Sequence, residues 1–292
     1  MRARYPDTSG TVVRDGVALG YEVYGGDRPD RPTVALLPAW TIVHTRFWKM
    51  QIPYLARHFR VVVYDGPGNG RSDRVVDPAR YTAHSYALDA ATVLEACDVD
   101  RAVAVGLSRG AWYALELAAL RPDVVSGLVL VAAALPLGPV LEQRAGIAEH
   151  FLDPAPQDPQ GWDRYNLAYW HAHYPEFAQW FFEQVFPEPH STKAIEDAVA
   201  WAMESGPDVL EAEAMQPPPL RSVTDVLAGL RCPTLVVHGD DDRIQSHEVG
   251  IEAARRSDGT LVSFAGSGHM PNLRDPARFN LVLRDFVERV SS

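Results

Sequence analysis

Apolar and polar positions along this chain follow two rhythms. Residues 11–25 alternate one by one, with Asp15-Gly16 and Gly25-Gly26 as punctuation, which predicts an opening hairpin. After it, short β-branched runs take turns with stretches of helical period. Residues 34–37 read as a buried strand and the region 47–57 as a helix. Residues 60–64 form the next strand, with a helix over 85–97 after a loop. A strand at 102–106 leads into a helix from 109 to 120, which Arg121-Pro122 stops. Residues 127–134 read as a strand again. This alternation implies βαβ units, hence a mostly parallel central sheet with helices on both faces.

The rhythm breaks at Leu135-Pro136. Residues 138–222 carry helical patterns, no buried strand, and many aromatics, among them Trp162, Trp170, Trp180 and Trp201. Pro217-Pro218-Pro219 closes the stretch. The first rhythm then returns, with strands at 234–238 and 261–264, a helix over 246–255 and a last amphipathic helix over 277–290. The expected organisation is an α/β core from residues 1–137 and 223–292, interrupted by a helical cap at 138–222.

The sharpest chemical signal is Gly106-Leu107-Ser108-Arg109-Gly110, between an apolar strand and a helix. A serine on such a turn stands above the strand end, over the free N–H groups of the helix N-terminus. The plainer reading is a glycine turn with a serine N-cap. A serine nucleophile needs a base, and the base needs an orienting acid. Both types occur downstream, each at the end of a predicted strand. Asp240-Asp241-Asp242 follows residues 234–238, and Gly266-Ser267-Gly268-His269 follows residues 261–264. Each aspartate could orient His269. As a metal site the three lack the alternating ligands and glycine of a calcium loop. His171 and His173, two residues apart on a helix, point to different sides and do not chelate together.

With these motifs in place, the chain resembles the α/β-hydrolase superfamily, in its cap-bearing serine esterase and hydrolase branch. Asp65-Gly66-Pro67-Gly68-Asn69-Gly70-Arg71-Ser72 is similar to a recurrent loop of that family. Its glycines have the wrong spacing for a dinucleotide fingerprint, no P-loop lysine follows, and no cofactor is expected. The resemblance implies an α/β-hydrolase fold and a triad in the order Ser108, Asp242, His269, with Asp240 and Asp241 as alternative acids. It implies an oxyanion hole from the backbone N–H groups of Trp40 and Arg109. Where the family often has His-Gly, this chain has Pro38-Ala39, ahead of Trp40. Trp40, Arg109, Trp112, Tyr113 and cap aromatics such as Trp170 are candidate pocket walls. For the Arg109 side chain two readings stand: a substrate carboxylate, or a salt bridge to a nearby acid.

The implied activity is cofactor-independent cleavage of a small or medium carboxylic ester, thioester or lactone. C–C bond hydrolysis, perhydrolysis or acyl transfer by the same triad are alternatives, as is a non-catalytic small-molecule-binding protein. Composition narrows the partners. Asp and Glu number 38 against 27 Lys and Arg, a net charge of −11, which disfavours nucleic acid and anionic membrane surfaces. Cys97 and Cys232 have no metal or redox spacing. No targeting core or membrane-length apolar run is read, so a cytoplasmic protein is expected. The sequence leaves oligomeric state open.

Overall fold

The computed structural model describes residues 4–26 and 30–292. Strands β1 (Thr8–Arg14) and β2 (Val17–Tyr24) form the opening hairpin, turning at Asp15-Gly16. Both turn residues have positive φ, 48° and 80°, as a tight hairpin turn requires. Gly25-Gly26 follows the second strand instead of joining the two. Strands β3 (Thr33–Leu36), β4 (Arg60–Tyr64), β5 (Ala102–Leu107), β6 (Val125–Val131), β7 (Thr234–Gly239) and β8 (Thr260–Phe264) complete an eight-stranded sheet. Its order is β1-β2-β4-β3-β5-β6-β7-β8. β2 pairs antiparallel with β1 and β4, and all other pairs are parallel.

The central strands are apolar throughout because both faces are covered. Val34, Leu36, Val103, Val105, Leu235 and Val237 join one core, while Ala35, Leu37, Ala104, Leu128 and Val236 join the other. Helices α1 (Ala83–Ala96), α2 (Arg109–Leu120) and α7 (His247–Arg256) pack on the second face. Helix α8 (Pro276–Ser291) packs on the first through Phe279, Leu283 and Phe286.

One predicted helix is corrected. The region 47–57 holds two short pieces, a 3-10 turn at Thr45–Trp48 and a helix at Ile52–Leu55. Pro53 has no N–H to bond back to the previous turn, so the helix restarts with proline in its first turn. Between β6 and β7 the described residues form no strand. They include α3 (Leu167–Ala172), α4 (Tyr174–Val185), α5 (Thr192–Ala202) and α6 (Pro207–Ala214). Aromatic side chains of α3, α4 and α5 continue the first core beyond the sheet. No helix is long and apolar enough to cross a membrane among the described residues.

Candidate functional site

The turn from β5 into α2 brings backbone against backbone. A Cβ on Gly106 would lie 1.9 Å from the Gly110 carbonyl oxygen, and one on Gly110 would lie 2.2 Å from that of Pro38. Neither position admits a side chain. Ser108 between them holds φ 56° and ψ −120°, a costly conformation for a non-glycine residue. Its backbone is pinned on both sides: its N–H donates to Val131 O at 2.9 Å, and its carbonyl accepts from Ala134 N–H at 3.0 Å. The Ser108 hydroxyl makes no capping bond to α2. It lines a cavity of about 100 Å³ instead.

His269 lines the same cavity from the loop after β8. Its Nδ1 lies 2.8 Å from Asp242 Oδ2. The other oxygen of Asp242 accepts from the N–H groups of Ile244 (2.7 Å) and Gln245 (3.0 Å). Of the three successive aspartates, Asp242 is buried, whereas Asp240 and Asp241 are exposed; Asp240 accepts from Gly266 N–H at 2.6 Å. His238, fully buried at the end of β7, places Nε2 3.1 Å from Asp242 Oδ2. Burial pushes the Asp242 carboxyl upward. The charge of His269 and the hydrogen bonds from His238 and His269 outweigh it and hold the group well below the usual carboxylate range. With Nδ1 committed to Asp242, Nε2 is the remaining ring nitrogen of His269. The His269 loop is held from the helical segment, where Glu188 accepts from Gly268 N–H at 2.6 Å.

Trp40 lines the cavity beside Ser108, against Phe181 with ring centroids 4.8 Å apart. Its segment is closed by a bond from Val43 N–H to Trp40 O, 3.0 Å. Arg109 also lines the cavity, but its guanidinium is engaged: Nε is 2.8 Å from Glu213 Oε1 of α6. Burial alone would lower the Arg109 pKa, but Glu213 and Tyr113 raise it well above the ordinary value. Glu213 further accepts from Tyr113 Oη at 3.1 Å and from the Thr41 hydroxyl. The geometry is that of a salt bridge.

Three expected wall residues lie elsewhere, and the first, Tyr113, is buried, stacked on Tyr86 and bonded to Glu213. Trp112 faces an adjoining outer groove, not the Ser108 cavity. Trp170 is fully buried behind Tyr165, packed among Phe151, Tyr165 and Phe177. The wall is built instead by Tyr165, Phe181, Phe182, Trp201 and two polar residues not singled out from the sequence, Arg144 and Gln245. His171 meets Asp208 and Glu211 through opposite ring nitrogens, at 3.7 and 2.8 Å, on an exposed surface. His173 packs on Tyr169.

His238 and Glu213 were also missed. Arg109 on a buried turn signals that some carboxylate must answer it, yet nothing local marks Glu213 among 38 acidic residues.

Comparison with known proteins agrees with this fold. A family model described as the alpha/beta hydrolase fold matches residues 32–276. A protein of Pseudomonas syringae pv. syringae (strain B728a) that carries the name carbamate hydrolase RutD is 26% identical over 91% of this chain and 98% of its own. The structure titled Est816 as an N-acyl homoserine lactone degrading enzyme is 24% identical with TM-score 0.77, covering 95% of this chain and all of that one (100%). The esterase RhEst1 from Rhodococcus sp. ECU1013 is 22% identical with TM-score 0.78, covering 97% and 98%. A strand–elbow–helix core matched by a family model over most of its length places this chain in the α/β-hydrolase family, as a hydrolase.

Proposed function

We propose that this hydrolase is a cofactor-independent serine esterase or lactonase working through Ser108, His269 and Asp242. The observation that carries the reading is the meeting of a strained, uncapped Ser108 and an Asp242-anchored His269 in one apolar cavity. His269 Nε2 takes the Ser108 proton as Oγ attacks the substrate carbonyl carbon. The carbonyl π pair moves to oxygen, and the Trp40 and Arg109 backbone N–H groups receive that oxyanion. Collapse expels the alcohol, protonated by His269, and leaves an acyl ester on Ser108. Water, deprotonated by His269, then attacks the acyl carbon and releases the acid with Ser108 restored. Asp242 fixes the Nδ1–H tautomer and stabilises the imidazolium. His238 and the amides of Ile244 and Gln245 hold that carboxylate in place. The helical segment over residues 138–222 acts as the cap, closing the acyl pocket with Phe181, Phe182 and Trp201.

Stopped-flow with 4-nitrophenyl acetate tests this. The expected result is a burst of one nitrophenolate per active site, and a kcat lower by about 10⁴-fold or more in Ser108→Ala. A Ser108→Ala rate within tenfold of wild type overturns the assignment.

A carbamate is the second reading. It is favoured by the likeness to the relative named for carbamate hydrolysis, which extends over nine-tenths of the chain (91%). On a carbamate ester the same steps would expel the alcohol and leave a carbamoyl group on Ser108; water would then release carbamic acid, which breaks down to carbon dioxide and ammonia, products that an ester or lactone does not give.

A further inference from the structure

Among the described residues, the charged groups in and just behind the wall of the Ser108 cavity are paired, with one exception. Arg109 is answered by Glu213 at 2.8 Å. Asp242 is answered by His269, His238 and two amides. Arg144 has no carboxylate within ion-pair distance among the described residues. Its Nη1 donates to the Ile244 carbonyl, and its guanidinium lies 4.8 Å over the Trp162 ring. Its Nε is buried with no acceptor. Burial pulls this guanidinium below the ordinary arginine value, with Tyr165 and Asp242 opposing from a distance.

A partly buried cation resting on a carbonyl and a ring face lacks a counter-charge, and leaving a buried donor unsatisfied is costly. Its position tells where the counter-charge belongs. Arg109, Arg144, Tyr165 and Gln245 are among the side chains that line both the Ser108 cavity and a larger outer groove of about 530 Å³. A molecule reaching Ser108 through that groove passes these side chains, and of the two cations only Arg144 lacks a carboxylate partner among the described residues. Guanidinium offers a planar fork matched to a carboxylate, with a phenol and a carboxamide beside it.

We infer that the Ser108 cavity takes an ester or lactone bearing a carboxylate, and that Arg144 is the specificity-determining residue that binds it. The inference rests on the reading of Ser108 as the reacting residue. The anion leaves Ser108 and His269 free and pairs at the cavity mouth, so it selects substrate without entering the chemistry. Arg109, the other cation in the wall, already has its counter-charge in Glu213.

Two pairs of esters matched in chain length, with a carboxylate or a methyl group at the end, test it. Monomethyl glutarate against methyl valerate places the carboxylate on the acyl side, and 4-acetoxybutyrate against butyl acetate places it on the alcohol side. Wild type is expected to prefer the charged member of at least one pair in kcat/KM by about tenfold to a hundredfold. Arg144→Met abolishes that ratio, and Arg144→Lys restores part of it. A preference that survives Arg144→Met, or a wild type that favours the neutral member of both pairs, overturns the inference. Binding gives a readout independent of turnover. Ser108→Ala should bind monomethyl glutarate or 4-acetoxybutyrate in calorimetry, and Ser108→Ala/Arg144→Met should lose about tenfold or more in affinity. Unchanged affinity refutes the Arg144 site. Binding that depends on Arg144 in a wild type that turns over no ester refutes the Ser108 reading alone.

Discussion

Two arginines stand in the wall of one cavity, and their surroundings differ in kind. Arg109 opens α2 and meets Glu213, a carboxylate only 1% exposed that also accepts from Tyr113 and Thr41. Three parts of the chain, the Trp40 loop, α2 and α6, are joined through that one side chain. Arg144 rests on a carbonyl and an aromatic face, with one buried N–H unanswered. The first arrangement carries its counter-charge inside the protein. The second is open, with no carboxylate answering it among the described residues. A buried charge with an internal partner ties elements together, and one without is the place where the proposed carboxylate would bind.

The comparison can be broken most sharply at the paired charge of the proposed triad. Asp242→Asn keeps the shape but offers His269 the wrong tautomer, so kcat should fall by about 10⁴-fold. Because the folded carboxyl lies below its usual range, its contribution to stability is full above about pH 4 and is lost as pH falls through the depressed value. Urea unfolding of wild type and Asp242→Asn at pH 7 and pH 3 should therefore show a gap that narrows in acid. A gap independent of pH contradicts the ionised pairing.

Arg109→Met comes next. It strands a buried carboxylate, at a cost of about 3 kcal/mol in urea unfolding. Glu213→Gln should cost less, about 1–2 kcal/mol, since the Arg109 side chain is 34% exposed and water reaches it. Equal costs for the two would mean that the clasp is not built around a buried Glu213. The smallest effect belongs to Arg144→Met. Removing an unpaired charge should leave stability within about 1 kcal/mol of wild type. A loss as large as that of Arg109→Met would make Arg144 a structural residue.

The contrast also explains what the sequence disclosed. β4 at Arg60–Tyr64 and the helix Arg109–Leu120 were legible to the residue, because period and Pro122 act locally. Gly106 and Gly110 were legible as a turn, since glycine spacing records where backbone meets backbone. The break at Gln51 was not, because the helix-like period continues across it and conceals the effect of Pro53. Glu213 and Arg144 escaped for another reason. Glu213 lies more than a hundred residues from Arg109, and a partner that distant leaves no periodic trace. Trp112 and Trp170 were placed in the wall by residue type alone. Trp170 is instead inside the aromatic cluster that carries the wall, because a large apolar ring gains more from full burial.

The most direct measurement is covalent labelling by a fluorophosphonate, read by intact mass and peptide mapping, on wild type, Ser108→Ala and His269→Ala. The account predicts one adduct on wild type, located at Ser108, absent in Ser108→Ala and strongly slowed in His269→Ala. A folded wild type that takes no label, or labelling that persists in Ser108→Ala, would contradict it.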